Sequence, residues 1–249
     1  MPASIEKFIK ASCLSAISSC AIDPVFAASA CVFAAIESAW NAGRDAHIVV
    51  TGGRTGLAIV QSIDQAVSAL LGNSGNKSLH IWFSDERFEE WDSADRTDTT
   101  LIAGFAAIQS ICHFHRVLTP SQGSLEAAAS DYAAQLDSSL STHGFDAVVL
   151  SMGEDGHVAS CFPGQTEILD AATSAAAVVN SPKPPAQRVT ITLKRLAQTP
   201  IAFVFALGTG KSEALHETLR RGASMPVELL RQNSSVGQIT ILTDFQVAQ

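Results

Sequence analysis

A histidine preceded by two carboxylates carries the clearest chemical signal in this sequence. Residues 153–157 read GEDGH, so that an acidic pair flanked by glycines leads directly into His157. An imidazole beside a carboxylate titrates near neutral pH and is suited to transferring protons. A histidine that caps a helix is the alternative. The sequence therefore makes His157 a candidate general acid or base.

Groups suited to binding an anion occur in two other glycine-containing turns. Gly52 and Gly53 form a turn before a predicted helix, where free amides and the helix dipole favour an anion. Lys211 opens another predicted helix, where the dipole disfavours a cation unless an anion is bound nearby. The alternatives are a tight turn without a ligand and a lysine that extends into solvent.

Two further segments carry charges at or near predicted strands. Asp85, Glu86 and Arg87 directly follow an apolar run, where burying charges is costly unless they pair or bind a ligand. Arg188 lies in residues 187–192, whose alternating pattern predicts a half-buried strand. The alternatives are a solvated turn with an internal ion pair and an edge-strand charge. Together with the histidine, these groups indicate a small anionic substrate that undergoes acid–base chemistry.

Strand and helix patterns alternate along the chain and position these groups. Short apolar runs with the hydrophobicity of strands buried on both faces are residues 47–50, 79–83, 146–150, 201–205 and 238–242. Stretches of helical composition are residues 24–41, 56–71, 125–140 and 211–221. This alternation predicts an α/β three-layer sandwich with a mostly parallel sheet, in a single domain over residues 1–249. Ligands bind beyond the carboxyl ends of such strands, where the candidate residues lie.

The composition is that of a folded, acidic protein. The 249 residues include 16 Lys and Arg against 24 Asp and Glu, a net charge of 16 − 24 = −8, and 47% are hydrophobic. The apolar fraction excludes intrinsic disorder, and the acidic balance argues against nucleic-acid binding, which needs a basic face. The irregularly spaced cysteines predict free thiols in a reducing cytoplasm rather than disulfides or zinc ligands.

Other conspicuous features are expected to be structural. The apolar run at residues 11–22 contains serines, so we interpret it as a cytoplasmic helix rather than a secretory signal or a membrane span. His113 and His115 have metal-ligand spacing without an evident partner, which favours solvated histidines and no metal. Trp82 is expected in the core, and Trp91 on a loop from which it is able to lie over the site.

The sequence resembles the 6-phosphogluconolactonases, which share a larger family with the glucosamine-6-phosphate isomerases and deaminases. The resemblance rests on residues 52–53, 85–87, 153–164 (GEDGHVASCFPG), 184–192 and 210–211, which occur in the family's order. It implies a modified Rossmann-type sheet and hydrolysis of 6-phospho-D-glucono-1,5-lactone in the oxidative pentose phosphate pathway, without a cofactor. We expect this small phosphorylated lactone as the partner, no nucleic acid or membrane, and a monomer or small homo-oligomer.

The resemblance also implies a role for individual residues. His157 corresponds to the general base, Asp85 to a carboxylate that orients the imidazole or binds a sugar hydroxyl, and Arg87 to a ligand of the phosphate or the oxyanion. The amides of the glycine turn, with Arg188 and Lys211, would hold the phosphate. The other substrate-binding positions carried over are Arg54, Thr55, Gly153, Asp155 and Gly156.

This sequence departs from the family pattern at two positions, and two other functions remain open. Arg54 stands where the family usually has a phosphate-binding serine, and Thr97 where it usually has asparagine. A deaminase needs a further glutamate five residues beyond the histidine, where this chain has Phe162. A non-catalytic sugar-phosphate sensor on the same fold would carry a helix-turn-helix segment and a basic face, and the first 45 residues show neither.

Overall fold

The computed structural model describes residues 17–19, 23–70, 77–220, 224–234 and 238–245. The strands in these segments are β1 Ile17–Ser19, β2 Ala46–Val50, β3 Leu79–Phe83, β4 Asp85–Arg87, β5 Cys112–His115, β6 Ala147–Ser151, β7 Ala175–Val178, β8 Arg188–Ile191, β9 Ile201–Ala206 and β10 Gln238–Thr243. The α-helices are α1 Pro24–Asn41, α2 Gly53–Leu70, α3 Asp98–Ala103, α4 Leu125–Ser139, α5 Thr166–Leu169, α6 Leu193–Leu196, α7 Ser212–Leu219 and α8 Pro226–Asn233.

The main sheet has seven strands in the order β1-β10-β9-β6-β2-β3-β5. Every neighbouring pair in it is parallel. The apolar runs predicted from the sequence all lie in this sheet, as β2, β3, β6, β9 and β10. The predicted parallel α/β sheet is therefore confirmed.

Helices cover both faces of this sheet, which explains the continuous hydrophobicity of its strands. Side chains of α1, α2 and α3 pack on one face together with Ile48 of β2. Side chains of α4, α6, α7 and α8 pack on the other face together with Val49, the next residue of the same strand. Successive side chains of a strand point to opposite faces, so each must be apolar when both faces are covered. The predicted three layers are confirmed.

A second, three-stranded sheet was not expected from the sequence. Its order is β4-β8-β7, and both pairs are antiparallel. The prediction of a half-buried strand at residues 187–192 is wrong in its burial, because all four residues of β8 are buried. One face of the small sheet packs against α4, where Val189 and Ile191 of β8 are in the core. On the other face, Arg188 and Thr190 are buried beside Ser160. This sheet carries Asp85 and Arg188 to the site.

Several smaller expectations are corrected. Within residues 11–22, Ile17–Ser19 is a strand paired with β10 rather than helix, and the rest lies outside the described residues. His115 is not simply solvated, because its ring stacks on Trp82 at 3.6 Å between centroids. The ring of Trp91 contacts the guanidinium groups of Arg96 and Arg116 and is not among the residues that line the cleft described below.

Other expectations hold for the described part of the chain. Trp82 is fully buried, and Cys112 and Cys161 carry free thiols, whereas Cys13 and Cys20 lie outside the described residues. None of the helices described is both long enough and apolar enough to span a bilayer.

Candidate active site

A cleft of about 340 Å³ opens at the carboxyl ends of β2 and β6, beside the small sheet. This volume is within the range of small-molecule sites. The predicted site residues that line it are Gly52, Gly53, Asp85, Arg87, Gly153, His157, Arg188 and Lys211. Thr97, Glu154 and Lys183 line it as well. The fold therefore brings groups from separate turns together, as expected for the carboxyl edge of a parallel sheet.

His157 is held through its Nδ1 atom by the carboxylate of Asp155. The Oδ1 atom of Asp155 lies 2.5 Å from Nδ1. Because a carboxylate accepts hydrogen bonds and does not donate them, this network assigns the proton to Nδ1 and a lone pair to Nε2. The resemblance gives Asp85 two alternative roles, of which one is to orient the imidazole, but the carboxylate in contact with Nδ1 belongs to Asp155.

The electrostatics of the pair keep the imidazole neutral and the carboxylate ionised. Burial lowers the pKa of His157 below its usual value, and the opposing attraction of Asp155 does not fully compensate. Burial alone would raise the pKa of Asp155, but hydrogen bonds and charges from His157 and Lys183 hold it below its usual value. A neutral imidazole with a free Nε2 is the form that accepts a proton.

Gly153 provides the space that the imidazole occupies. Its amide donates a hydrogen bond of 2.8 Å to the carbonyl of His157, so the turn folds back on itself. A Cβ atom at Gly153 would lie 2.2 Å from both Nδ1 and Cε1 of His157. Gly156, in the same turn, has a φ of +84°, which L side chains rarely adopt. The glycines noted in the sequence thus shape the turn around the histidine.

Asp85 reaches the same cleft from β4 and is fixed by two hydroxyl groups. Its Oδ1 atom accepts a hydrogen bond of 3.0 Å from Ser84 Oγ, and its Oδ2 atom accepts one of 2.6 Å from Ser160 Oγ. The Nη1 atom of Arg188 lies 3.8 Å from Oδ2. A carboxylate fixed in this way is placed to accept a hydrogen bond from a substrate hydroxyl.

Arg188 is almost fully buried, and most of its donors bind backbone carbonyls. Its Nε atom donates to the carbonyl of Pro185 at 3.1 Å, and its Nη2 atom donates to those of Lys183 at 2.9 Å and Pro184 at 3.3 Å. The edge-strand alternative is wrong, because β8 is the central strand of its sheet. The remaining nitrogen, Nη1, lies 3.5 Å from Ser160 Oγ and 3.8 Å from Asp85 Oδ2, and the side chain lines the cleft.

The glycine turn and Lys211 also line the cleft. Gly53 begins α2 with a φ of +80°, so the free amides of this helix start there. Burial lowers the pKa of Lys211, while the charge of Glu154 raises it. A partly buried ammonium beside a helix N-terminus is stabilised when an anion binds between them.

The other residues predicted to bind substrate lie around the cleft rather than in its lining. Of the described residues, Arg54, Thr55, Asp155 and Gly156 are not among those that line it. Arg54 lines a neighbouring depression of about 270 Å³ together with Gly53 and Arg87. Arg87 therefore faces the glycine-turn side of the cleft, next to the position that the family gives to serine.

The sequence reading missed the role of Glu86, which lies beneath the cleft. Its side chain is fully buried and accepts hydrogen bonds from the amides of Arg87 at 2.8 Å, Thr97 at 3.0 Å and Asp98 at 2.6 Å. Burial raises the pKa of Glu86 above its usual value. The carboxyl group fixes the backbone of Arg87 and Thr97, two residues that line the cleft. Its only signal in the sequence was an acidic residue in the charged segment that follows the predicted strand at residues 79–83.

The cleft contains groups for proton transfer and anion binding, and the described residues show no group of three His, Cys, Asp or Glu side chains with metal-site geometry. The chain matches the family model described as glucosamine-6-phosphate isomerases/6-phosphogluconolactonase over residues 25–241. The chain belongs to this family. The match covers most of the chain, so the resemblance noted in the sequence is confirmed.

Several proteins that match the chain are named 6-phosphogluconolactonase. A Bos taurus protein named 6-phosphogluconolactonase is 30% identical over 216 residues, which is 82% of each chain. A Homo sapiens protein of the same name is 28% identical over 203 residues, 79% of each chain. A crystal structure of 6-phosphogluconolactonase from Thermotoga maritima superposes with a TM-score of 0.75 at 22% identity, covering 91% of this chain and 98% of that one. The structural similarity confirms the modified Rossmann-type fold.

Proposed function

We propose that this chain hydrolyses 6-phospho-D-glucono-1,5-lactone to 6-phosphogluconate, as a step of the oxidative pentose phosphate pathway in the cytoplasm. The observation that carries the proposal is the Asp155–His157 pair, whose imidazole lines a cleft that also contains Arg87 and Lys211. A general base and cationic groups in one cleft suit the hydrolysis of an anionic lactone. The names of the matched relatives support the choice of substrate.

In the proposed reaction, His157 acts first as a base and then as an acid. Its Nε2 atom takes a proton from a water molecule while the water oxygen bonds to the lactone carbonyl carbon. The tetrahedral intermediate collapses by breaking the bond between that carbon and the ring oxygen. The imidazolium returns its proton to the ring oxygen, which leaves a hydroxyl group and a carboxylic acid that ionises. Asp155 stabilises the imidazolium between the two transfers.

The remaining contacts are assigned by position in the cleft. We assign the phosphate group to the glycine turn, with Lys211 and Arg87 as cationic ligands, because all of these line the cleft and Arg87 also lines a neighbouring depression with Gly53. Asp85 accepts a hydrogen bond from a sugar hydroxyl, since its carboxylate is fixed and lines the cleft. The planar guanidinium group of arginine donates two parallel hydrogen bonds to a phosphate, whereas the ammonium group of lysine supplies a point charge.

The neighbourhood of the imidazole favours lactone hydrolysis over amino-sugar deamination. Phe162 stands where the resemblance places the additional deaminase glutamate, and its ring centroid lies 4.6 Å from that of His157. Phe162 is buried, with 1% exposure. An aromatic ring in this position supplies no second carboxylate to open an amino-sugar ring.

The direct test measures 6-phosphogluconate formed from freshly generated lactone, above the spontaneous rate. We expect the wild type to accelerate hydrolysis and His157→Ala to lower kcat by about 10²–10⁴-fold, the usual contribution of general acid–base catalysis. Glucosamine 6-phosphate serves as the control substrate and should not be deaminated. Equal rates for the wild type and His157→Ala would refute the proposal.

A second test addresses the phosphate end of the cleft. We expect Lys211→Met to raise KM for the phosphorylated lactone by about 10-fold or more, because a hydrogen bond to a charged group is lost. KM for unphosphorylated gluconolactone should stay unchanged. Lys194→Met, which removes an exposed lysine on α6, is the matched control. A Lys211→Met variant that binds both lactones as the wild type does would contradict the assignment.

A further inference from the structure

The loop between β7 and β8 places a lysine beside the Asp155–His157 pair. We call residues 181–187 the proline loop. Within it, the Nζ atom of Lys183 lies 3.2 Å from Asp155 Oδ2 and 3.4 Å from His157 Nδ1. The side chain of Lys183 lines the cleft and is 45% exposed. One ammonium group thus contacts both members of the pair.

The backbone that carries this lysine is anchored on both sides. The carbonyl of Lys183 accepts hydrogen bonds from Arg188 Nη2 at 2.9 Å and from Ser181 Oγ at 2.8 Å. The amide of Lys183 donates to Ser181 Oγ at 3.2 Å. The buried Arg188 also binds the next two carbonyls, those of Pro184 and Pro185. The backbone of Lys183 is therefore fixed, and the ammonium group lies where it contacts Asp155 and His157.

We propose that Lys183 is a positioning residue, which places a positive charge against the Asp155 carboxylate and beside the His157 imidazole. Its catalytic consequence rests on the proposed function. Asp155 uses Oδ1 for the imidazole and Oδ2 for Lys183, so rotating the carboxylate away from the ring breaks both contacts. The ammonium charge also opposes protonation of the ring, which keeps His157 in its basic form at lower pH.

The charges around His157 determine the sign of the effect. The groups that face it are Asp155 on its own turn, Asp85 on β4, Lys183 on the proline loop and Arg188 on β8, while Glu154 and Lys211 also line the cleft. Asp155 and Asp85 favour the imidazolium form, and Lys183 opposes them. Removing the ammonium group leaves these carboxylates less opposed, so the pKa of His157 must rise.

The experiment compares Lys183→Met, which removes the charge, with Lys183→Arg, which retains it, and with the surface control Lys194→Met. Two readouts are taken: the acid limb of the kcat/KM–pH profile for the lactone, and an NMR titration of the His157 imidazole without substrate. In Lys183→Met both should move to higher pH by about 0.5–1 unit, the shift expected for screened unit charges at this distance. They should stay in place in Lys183→Arg and Lys194→Met.

The outcomes separate this inference from the proposed function. An unchanged His157 pKa in Lys183→Met overturns the inference, even when activity falls, because the lysine would then only tether its loop. A wild type that fails to hydrolyse the lactone refutes the proposed function, while the titration still decides the role of Lys183. Circular dichroism of each variant confirms folding, which the partial exposure of the side chain leads us to expect.

Discussion

Gly153→Ala tests whether the site depends on the close packing of the imidazole against its own turn. The φ angle of Gly153 is not among the positive values found in this backbone, so alanine is conformationally allowed there. The added methyl group would nevertheless lie 2.2 Å from Nδ1 and Cε1 of His157 and 2.6 Å from Asp155 Oδ1. The substitution is therefore expected to displace the Asp155 and His157 side chains while the backbone keeps its conformation.

The size of the effect follows from these distances. Carbon atoms in contact are normally about 3.5 Å apart, so the ring must retreat by about 1.3 Å from its 2.2 Å separation. A misplacement of about 1 Å at a reacting centre costs about 10²-fold in rate. We expect kcat/KM of Gly153→Ala to fall by about that factor, and not below the value of His157→Ala.

Steady-state lactonase assays on Gly153→Ala, His157→Ala and the double variant measure this dependence. The matched control is Gly123→Ala, whose Cβ would make an ordinary contact of 3.4 Å with Ala127. Because the glycine acts through the histidine, the double variant should be no slower than His157→Ala alone. Wild-type activity in Gly153→Ala, or a full further loss in the double variant, would refute the reasoning.

Two further predictions concern stability, measured by urea unfolding. Burial lowers the pKa of His47 to about 4 in the folded chain, where its Nδ1 atom accepts a hydrogen bond from Trp82. In the unfolded chain the same imidazole takes up a proton below pH 6.5. The free energy of unfolding therefore falls as the pH falls from 6.5 to 4. Between pH 7 and pH 5 the wild type should lose about 1 kcal/mol more of it than His47→Gln, after allowance for solvent screening. Equal losses in the two proteins would contradict this prediction. Asp98→Asn leaves the fully buried guanidinium of Arg96 without its carboxylate at 2.6 Å and should cost about 3–5 kcal/mol. Glu217→Gln, which removes an exposed ion pair, should change little, and equal unfolding midpoints for these two variants would contradict the reasoning.

The strands of the main sheet were predictable because their signal is local. Each is a run of apolar residues covered on both faces, so its sequence shows continuous hydrophobicity whatever its neighbours are. The small sheet has no such signal. β4 consists of Asp85, Glu86 and Arg87, which read as a charged turn, and β7 consists of three alanines and a valine. These residues form strands because β8 lies between them and supplies hydrogen bonds on both sides.

The start of α2 is a second feature that the local sequence does not predict. The sequence predicts a helix from residue 56, whereas the helix begins at Gly53. Glycine has poor intrinsic helix propensity, so a local pattern places the boundary after it. The positive φ of Gly53 and the packing of Gly56 against the carbonyl of Thr51 fix the actual start.

The sequence by itself determined the alternation of apolar strands and helices and gave a set of candidate site residues, because apolar period and residue type are local properties. His157, Asp85, Arg87 and Lys211 could all be named from their positions after predicted strands. Tertiary structure alone decided which groups touch. It placed Asp155 rather than Asp85 on the imidazole, brought Lys183 within 3.4 Å of His157 and turned Arg188 toward three backbone carbonyls. Contacts between separate loops depend on strand register and side-chain rotamers, which spacing along the chain does not specify.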